Sequence, residues 1–174
     1  QIKILSDAGA DFLFLEAMSS ALKTVETLVK CSLDTNLPVW LSISCALDKK
    51  TDKLMLGYQE SIEKNTKSFL YNDFTGSIHT IKKIHKGPIL IAHTDVTIMK
   101  RALTELKHNF DGVIGAYPNV GYFEKPTWNF MEEEISPSQY CDEAKSWIDA
   151  GAQIIGGCCG VGPKRIEAIS KYKL

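Results

Sequence analysis

The sequence predicts an α/β fold of parallel strands, and three observations carry that expectation. Short apolar runs alternate with amphipathic helical patterns five times along 174 residues, the order expected of repeated βα units. The apolar runs are continuous rather than alternating, as in strands buried on both faces. Polar and metal-ligating residues (Glu16, Ser44 or Cys45, His93, Asn119 and the Cys158-Cys159 pair) recur just where those runs end. Five units suit a small open sheet or most of a barrel. Polar groups converging at carboxyl ends favour the barrel, since its catalytic face lies there. The first strand is not followed by G-x-G-x-x-G, which weakens a dinucleotide-binding open sheet.

The elements follow in order. Strands are expected over residues 12–15, 38–45, 88–92 and 112–117, with a fifth beginning at 152–155. Ser19 or Ser20 is placed to cap a helix running to about Lys30, with Ala21, Val25, Leu28 and Val29 on one face. Residues 59–70 and 77–86 are amphipathic, and 97–108 carries Ile98, Ala102 and Leu106 at four-residue spacing. Ser136 or Ser138 opens a helix over 139–150, and Pro163 sits at the first turn of a last helix over 164–171.

Composition narrows the function. Hydrophobic residues make up 44% and charged residues 24% of the chain, which is ordinary for one globular domain. The formal net charge is −1, so nothing draws the protein to nucleic acid or an anionic membrane. No apolar run approaches the roughly 20 residues of a membrane span. The chain opens on Gln1 without a signal-peptide pattern, and the expectation is of a piece cut from something longer. Five cysteines at irregular spacing argue against a secreted disulfide framework and for reduced thiols in the cytoplasm.

Two of those cysteines are adjacent, in the run 153–160 (QIIGGCCG). Successive side chains of a strand point to opposite faces, so Cys158 and Cys159 reach one ion only if the backbone turns there. Gly156, Gly157 and Gly160 permit that turn. Two thiolates can then share one zinc ion, with a third protein ligand leaving a position for substrate. Buried small thiols, a vicinal disulfide and a glycine-rich phosphate-binding turn are the other readings of the same residues.

Ile155-Gly156-Gly157-Cys158-Cys159-Gly160-Val161-Gly162-Pro163, followed by Ile166, is similar to the signature of the homocysteine S-methyltransferase family. Residues 8–16 (AGADFLFLE) and 37–42 (LPVWLS) resemble that family's fourth and fifth strand motifs. Tyr117-Pro118-Asn119 with Trp128 resembles the seventh, and 147–152 (WIDAGA) leads into the eighth. The resemblance implies a (β/α)8 barrel, of which this chain carries about the last five βα units as one homocysteine-binding domain. It implies Zn2+ as cofactor, a homocysteine thiol and a methyl donor as partners, and methionine as product. It leaves the donor open among betaine, S-methylmethionine, S-adenosylmethionine and a methylated pterin or cobalamin, and the oligomeric state open as well. Glu16 falls where the family holds the amino-acid end of homocysteine, and Tyr117 and Asn119 are placed to shape the substrate pocket.

The chain departs from the family at the end of the sixth barrel strand, where a zinc-binding cysteine is usual. Ungapped comparison puts His93 there, and a one-residue slip puts Thr94 there. Imidazole is a good zinc ligand and a neutral hydroxyl a poor one, so the expected set is His93, Cys158 and Cys159. Exchanging Cys for His lowers the negative charge on the site, which strengthens zinc as a Lewis acid and weakens a coordinated thiolate as a nucleophile. Asp95 is a further candidate, to orient His93 from behind. Trp40 and Trp128 are candidates to line a methyl-donor site, and Cys45 is an extra site candidate. Cys31 and Cys141 read as structural, His79, His85 and His108 as surface residues, and Glu132-Glu133-Glu134 as solvated loop charge. The rival functions are a zinc-binding homologue with altered or lost transfer activity, a phosphate-binding barrel, and a purely structural module.

Overall fold

A computed structural model describes residues 1–18, 21–59, 72–124, 127–129 and 135–172, without the side chains of 122–124 and 128. In chain order its elements are α1 (Ile2–Asp7), β1 (Leu13–Met18), α2 (Leu22–Ser32), β2 (Val39–Ile43), β3 (Cys45–Asp48), β4 (Lys53–Leu56) and β5 (Asn72–Asp73). Then come α3 (Phe74–Ile84), β6 (Ile89–Asp95), α4 (Val96–Asn109), β7 (Ile114–Asn119), β8 (Tyr122–Glu124), β9 (Thr127–Asn129), α5 (Pro137–Asp149), β10 (Ile154–Ile155) and α6 (Pro163–Lys171). The expected helix over 59–70 beyond its first residue, the Ser19 or Ser20 cap, the acidic run 132–134 and the side chain of Trp128 lie outside the described residues.

Five strands form one parallel sheet in the order β1-β2-β6-β7-β10. These are the five expected strands, and a helix follows each of them along the chain. One face is packed under helices. Leu41, Ile43, Ile89, Ile91, Ile114 and Ala116 from the strands join Val29 of α2, Ile81 of α3, Leu103 of α4 and Trp147 of α5 in a single core cluster. All of these are fully buried, and each such Val, Leu or Ile side chain contributes about 1.5–3 kcal/mol. Strand alternation turns Phe14, Trp40, Leu90 and Tyr117 to the other face, where Phe14 meets Trp40 edge-on at 6.4 Å.

Local chemistry sets the helix starts. Ser136 and Gln139 form a reciprocal capping box with Pro137 in the first turn of α5, as the sequence indicates. Asp73 caps α3 through Gly76 N–H, so that helix begins ahead of the expected Ser77. Leu22 N–H at the start of α2 is satisfied from a distance, by Asn72 Oδ1 at 3.2 Å.

The expected strand over 38–45 divides. Its first part is β2, and Cys45 instead opens β3, which turns back through an antiparallel pairing with β4 (Cys45↔Leu56, Asp48↔Lys53). The surface reading of His85 is also corrected. It is only 2% exposed, its Nε2 lies 3.2 Å from the Pro88 carbonyl oxygen, and burial holds its imidazole below the ordinary range.

Two parallel strands break register near their carboxyl ends: β1 between Leu15 and Met18, and β6 between Ala92 and Asp95. Each break holds a non-glycine residue in the left-handed region, Ala17 at φ 49° and His93 at φ 45°. Buried hydroxyls secure both. Ser42 Oγ accepts Ala17 N–H at 2.6 Å. Thr94 Oγ1 accepts Cys45 N–H at 2.9 Å and donates to the Ala92 carbonyl at 2.9 Å. Replacing Thr94 by Val leaves the Cys45 N–H buried and unpaired, so the variant should lose about 1–3 kcal/mol. Urea unfolding checks this as a lowered midpoint at unchanged slope, and an unmoved midpoint contradicts it.

Candidate metal centre

The strand-to-helix passage after β10 is shaped by its glycines. A Cβ on Gly157 would lie 2.2 Å from Val161 Cγ1, and Gly160 has φ 76°, a conformation other residues adopt only under strain. The turn is tied to the end of β7 by backbone bonds, Cys158 N–H to the Pro118 carbonyl at 2.7 Å and Val120 N–H to the Cys159 carbonyl at 2.8 Å. Helices clamp it on both sides. Tyr140 of α5 donates its hydroxyl to the Gly156 carbonyl at 2.8 Å, and Arg165 of α6 donates to the Gly160 carbonyl at 3.1 Å. Arg165 is 6% exposed and also donates through Nε and Nη2 to the Ile135 carbonyl.

This turn brings the adjacent thiols onto one side. Cys158 Sγ and Cys159 Sγ form no disulfide and stand 3.6 Å apart, and Cys159 Sγ is 3.8 Å from His93 Nδ1. All three ligand atoms lie within 4.8 Å of one another, each from a half-buried residue. A tetrahedral zinc ion with ordinary Zn–S and Zn–N bonds spaces its sulfurs about 3.8 Å apart and sulfur from nitrogen about 3.6 Å. Soft thiolate and imidazole donors at these separations fit a zinc-type ion, with the fourth vertex left to another ligand.

His93 and Thr94 turn their side chains to different places. Thr94 is 1% exposed and its hydroxyl is engaged within the fold, whereas His93 stands beside the thiols. Asp95 has a different job from the one expected: its Oδ1 accepts Thr97 N–H at 2.8 Å and the Thr97 hydroxyl at 2.6 Å, capping α4. Cys45 is no part of the centre. It is 1% exposed, and burial, with the nearby Glu105 carboxylate adding, pushes its thiol well up.

Of the expected substrate residues, Glu16 is exposed at the carboxyl end of β1, and Tyr117 lies half-buried at that of β7. Burial raises the Tyr117 phenol above the ordinary range, and the charges of Glu16, Cys158 and Cys159 add to that. Glu16, Tyr117 and the thiols thus share one electrostatic neighbourhood. Asn119 is 9% exposed and donates Nδ2–H to the Gly121 carbonyl at 3.0 Å, shaping the turn after β7. Tyr58 was not legible as a site residue, yet its ring stands 4.7 Å from that of His93.

Burial pushes the Cys158 thiol up, but hydrogen bonds from His93 and from Cys159, with the charge of His93, pull it further down, so it ends below an ordinary cysteine.

The sequence matches the family described as Homocysteine S-methyltransferase over residues 1–172. Homocysteine S-methyltransferase 3 of Zea mays is 26% identical over 98% of this chain and 47% of its own length. Homocysteine S-methyltransferase YbgG of Bacillus subtilis is 36% identical over 40% of this chain and 22% of its own. The homocysteine methyltransferase MmuM from Escherichia coli, in its metallated form, superposes with a TM-score of 0.66 at 20% identity, covering 97% of this chain and 47% of that one. Its oxidized form gives a TM-score of 0.68 at 20% identity over 97% and 48%. The fold is therefore the (β/α)8-barrel type of these structures, and the chain spans about half the length of the curated relatives it matches.

The lowered Cys158 thiol gives a prediction for the metal-free protein. Alkylation of Cys158 by iodoacetamide, followed by peptide mass spectrometry, should show a pH midpoint below that of an ordinary free cysteine. In His93→Ala the hydrogen bond and the charge are lost while burial remains, so the midpoint should rise. A midpoint that His93→Ala leaves unmoved contradicts this account of the site.

Proposed function

The chain belongs to the homocysteine S-methyltransferase family, and from that premise we propose that the protein is a zinc-dependent transferase moving a methyl group onto the thiol of homocysteine to give methionine. One observation carries the reading: two adjacent thiols and an imidazole from a separate strand converge within 4.8 Å at the end of the sheet where such folds do their chemistry. In this reading His93, Cys158 and Cys159 hold the ion. When bound, zinc supplies the Lewis acidity that keeps a substrate thiol deprotonated near neutral pH.

The chain's own residues do the positioning. Glu16 receives the substrate ammonium in a charge-assisted hydrogen bond. Tyr117 bounds the pocket between Glu16 and the thiols, and Asn119 holds the turn that forms its rim. The substrate sulfur is thereby fixed for in-line attack on the donor methyl carbon. The new sulfur–carbon bond forms as the bond from methyl to donor breaks, and its electron pair leaves with the donor. The partners are small molecules, with no role for nucleic acid or a membrane. Among the described residues no helix is long and apolar enough to cross a membrane. The reading places the protein in the cytoplasm, where its thiols stay reduced.

The test pairs metal content with methyl transfer in the purified protein. The wild type should hold one equivalent of zinc and form methionine. Cys158→Ser and His93→Ala should each lose zinc and more than about 100-fold in rate, beyond the 10–100-fold typical of residues that only support ligands. One equivalent of zinc with no thiol methylated, whichever donor is supplied, would replace this reading with that of an inactive zinc-binding homologue.

A further inference from the structure

We propose that Tyr58 is a positioning residue for the metal-site imidazole, holding His93 in register with the thiols and tying it to the strand end that carries Glu16. The inference rests on the zinc reading above and adds a residue to it from geometry alone.

His93 starts at a disadvantage. It is not glycine, yet it sits at φ 45°, a conformation that persists only where the surroundings enforce it. Bonds of Thr94 secure the backbone beside it, but they do not orient the imidazole, and a ligand must present one ring nitrogen in one direction. The Tyr58 ring stands against the imidazole at 4.7 Å between centroids and 79° between planes. That edge-to-face geometry is the favoured one for two aromatic rings, and it restricts the rotation of the imidazole about its own side-chain bonds.

A support is useful only if it is itself held, and Tyr58 is held at three points. Its hydroxyl donates to the Ala17 carbonyl at 3.2 Å. Just before it, Gly57 N–H donates to the Ser44 carbonyl at 3.0 Å. Just after it, the Gln59 amide pairs with the Leu47 backbone in both directions, accepting from N–H at 2.8 Å and donating to the carbonyl at 3.0 Å. These anchors lie on β1, between β2 and β3, and on β3, so the β3–β4 hairpin delivers Tyr58 to the site as a fixed strut.

The strut also has direction. Ala17 follows Glu16 and is the second left-handed residue of the sheet, at φ 49°. In the order β1-β2-β6, Tyr58 therefore bridges over β2 and joins the two irregular strand ends, one with the proposed ammonium-binding carboxylate and the other with the imidazole ligand. A residue in that place fixes the spacing between the amino-acid end and the thiol end of the substrate site.

Three proteins decide the matter: the wild type, Tyr58→Leu and Tyr58→Phe. Zinc affinity is read by competition with a chromophoric chelator, ligand geometry by the visible bands of the cobalt(II)-substituted protein, and folding by the thermal midpoint of the metal-free form. Tyr58→Leu removes ring and hydroxyl and should weaken zinc binding by about 10-fold or more and shift the cobalt bands. Tyr58→Phe keeps the ring contact but drops the Ala17 anchor, and should fall between, which keeps the test decisive if the leucine variant folds poorly. Wild-type affinity and unshifted bands in Tyr58→Phe, together with either the same behaviour or misfolding in Tyr58→Leu, overturn the positioning role. His93→Ala separates the two levels. If it binds zinc as tightly as the wild type, or the wild type binds none, the metal reading itself fails and this inference fails with it.

Discussion

The separation between β6 and β10 is the constraint to which the functional end of this molecule answers. Strand β7 lies between them, and neighbouring strands stand about 4.8 Å apart, so the two ends are about 10 Å from one another. Yet His93 Nδ1 and Cys159 Sγ are 3.8 Å apart. Regular strands cannot bring those atoms together. The chain closes the gap by abandoning regular geometry on both sides, through a left-handed histidine at the end of β6 and a glycine turn after β10. Such a conformation at a non-glycine residue costs about 1–3 kcal/mol. It is offset by buried hydrogen bonds from Thr94 on one side, and on the other by the backbone bonds of the turn to β7 and the clamps from Tyr140 and Arg165.

That arrangement explains the division of labour across the sheet. The helix-covered face is dry and closely packed, and it gives the strand ends a rigid base. Among the described residues, hairpins and register breaks gather at the carboxyl ends. The β3–β4 hairpin follows β2, the β8–β9 hairpin follows β7, and both register breaks lie in the last residues of their strands. Loops positioned by a stiff scaffold are where binding and catalytic groups are most readily arranged. The electrostatics agree with the geometry: Tyr117 feels the charges of Glu16, Cys158 and Cys159, whereas Cys45 is buried toward Arg101 and Glu105.

Much of this was legible in the sequence because it rests on short-range signals. Continuous apolar runs marked the five parallel strands, and Ser136 or Ser138 marked a helix start. Two adjacent cysteines among glycines marked a sharp turn, with a shared metal ligand as one of its readings. What escaped depends on contacts between distant residues. Only Ser44 separates β2 from the apolar Cys45-Ala46-Leu47, so the hairpin that begins there was hidden until Cys45 was seen paired with Leu56. His93 and Thr94 were separable only by a register break, since a one-residue shift exchanges the faces of a strand. His85 read as a surface residue because lysines surround it in the chain, whereas the fold turns its ring onto the Pro88 carbonyl. Tyr58 carried no signal at all, because its importance arises from the hairpin that places it.

The central claim is that one metal ion bound by two sulfurs and one nitrogen has a coordination position that the substrate thiol can take. X-ray absorption at the zinc edge, recorded on the purified protein before and after adding homocysteine, tests it most directly. The account predicts a first shell with two sulfurs and an imidazole nitrogen at about 2.3 Å and 2.0–2.1 Å, and a third sulfur once homocysteine is present. A zinc shell without two sulfurs, or one that homocysteine leaves unchanged, would contradict it.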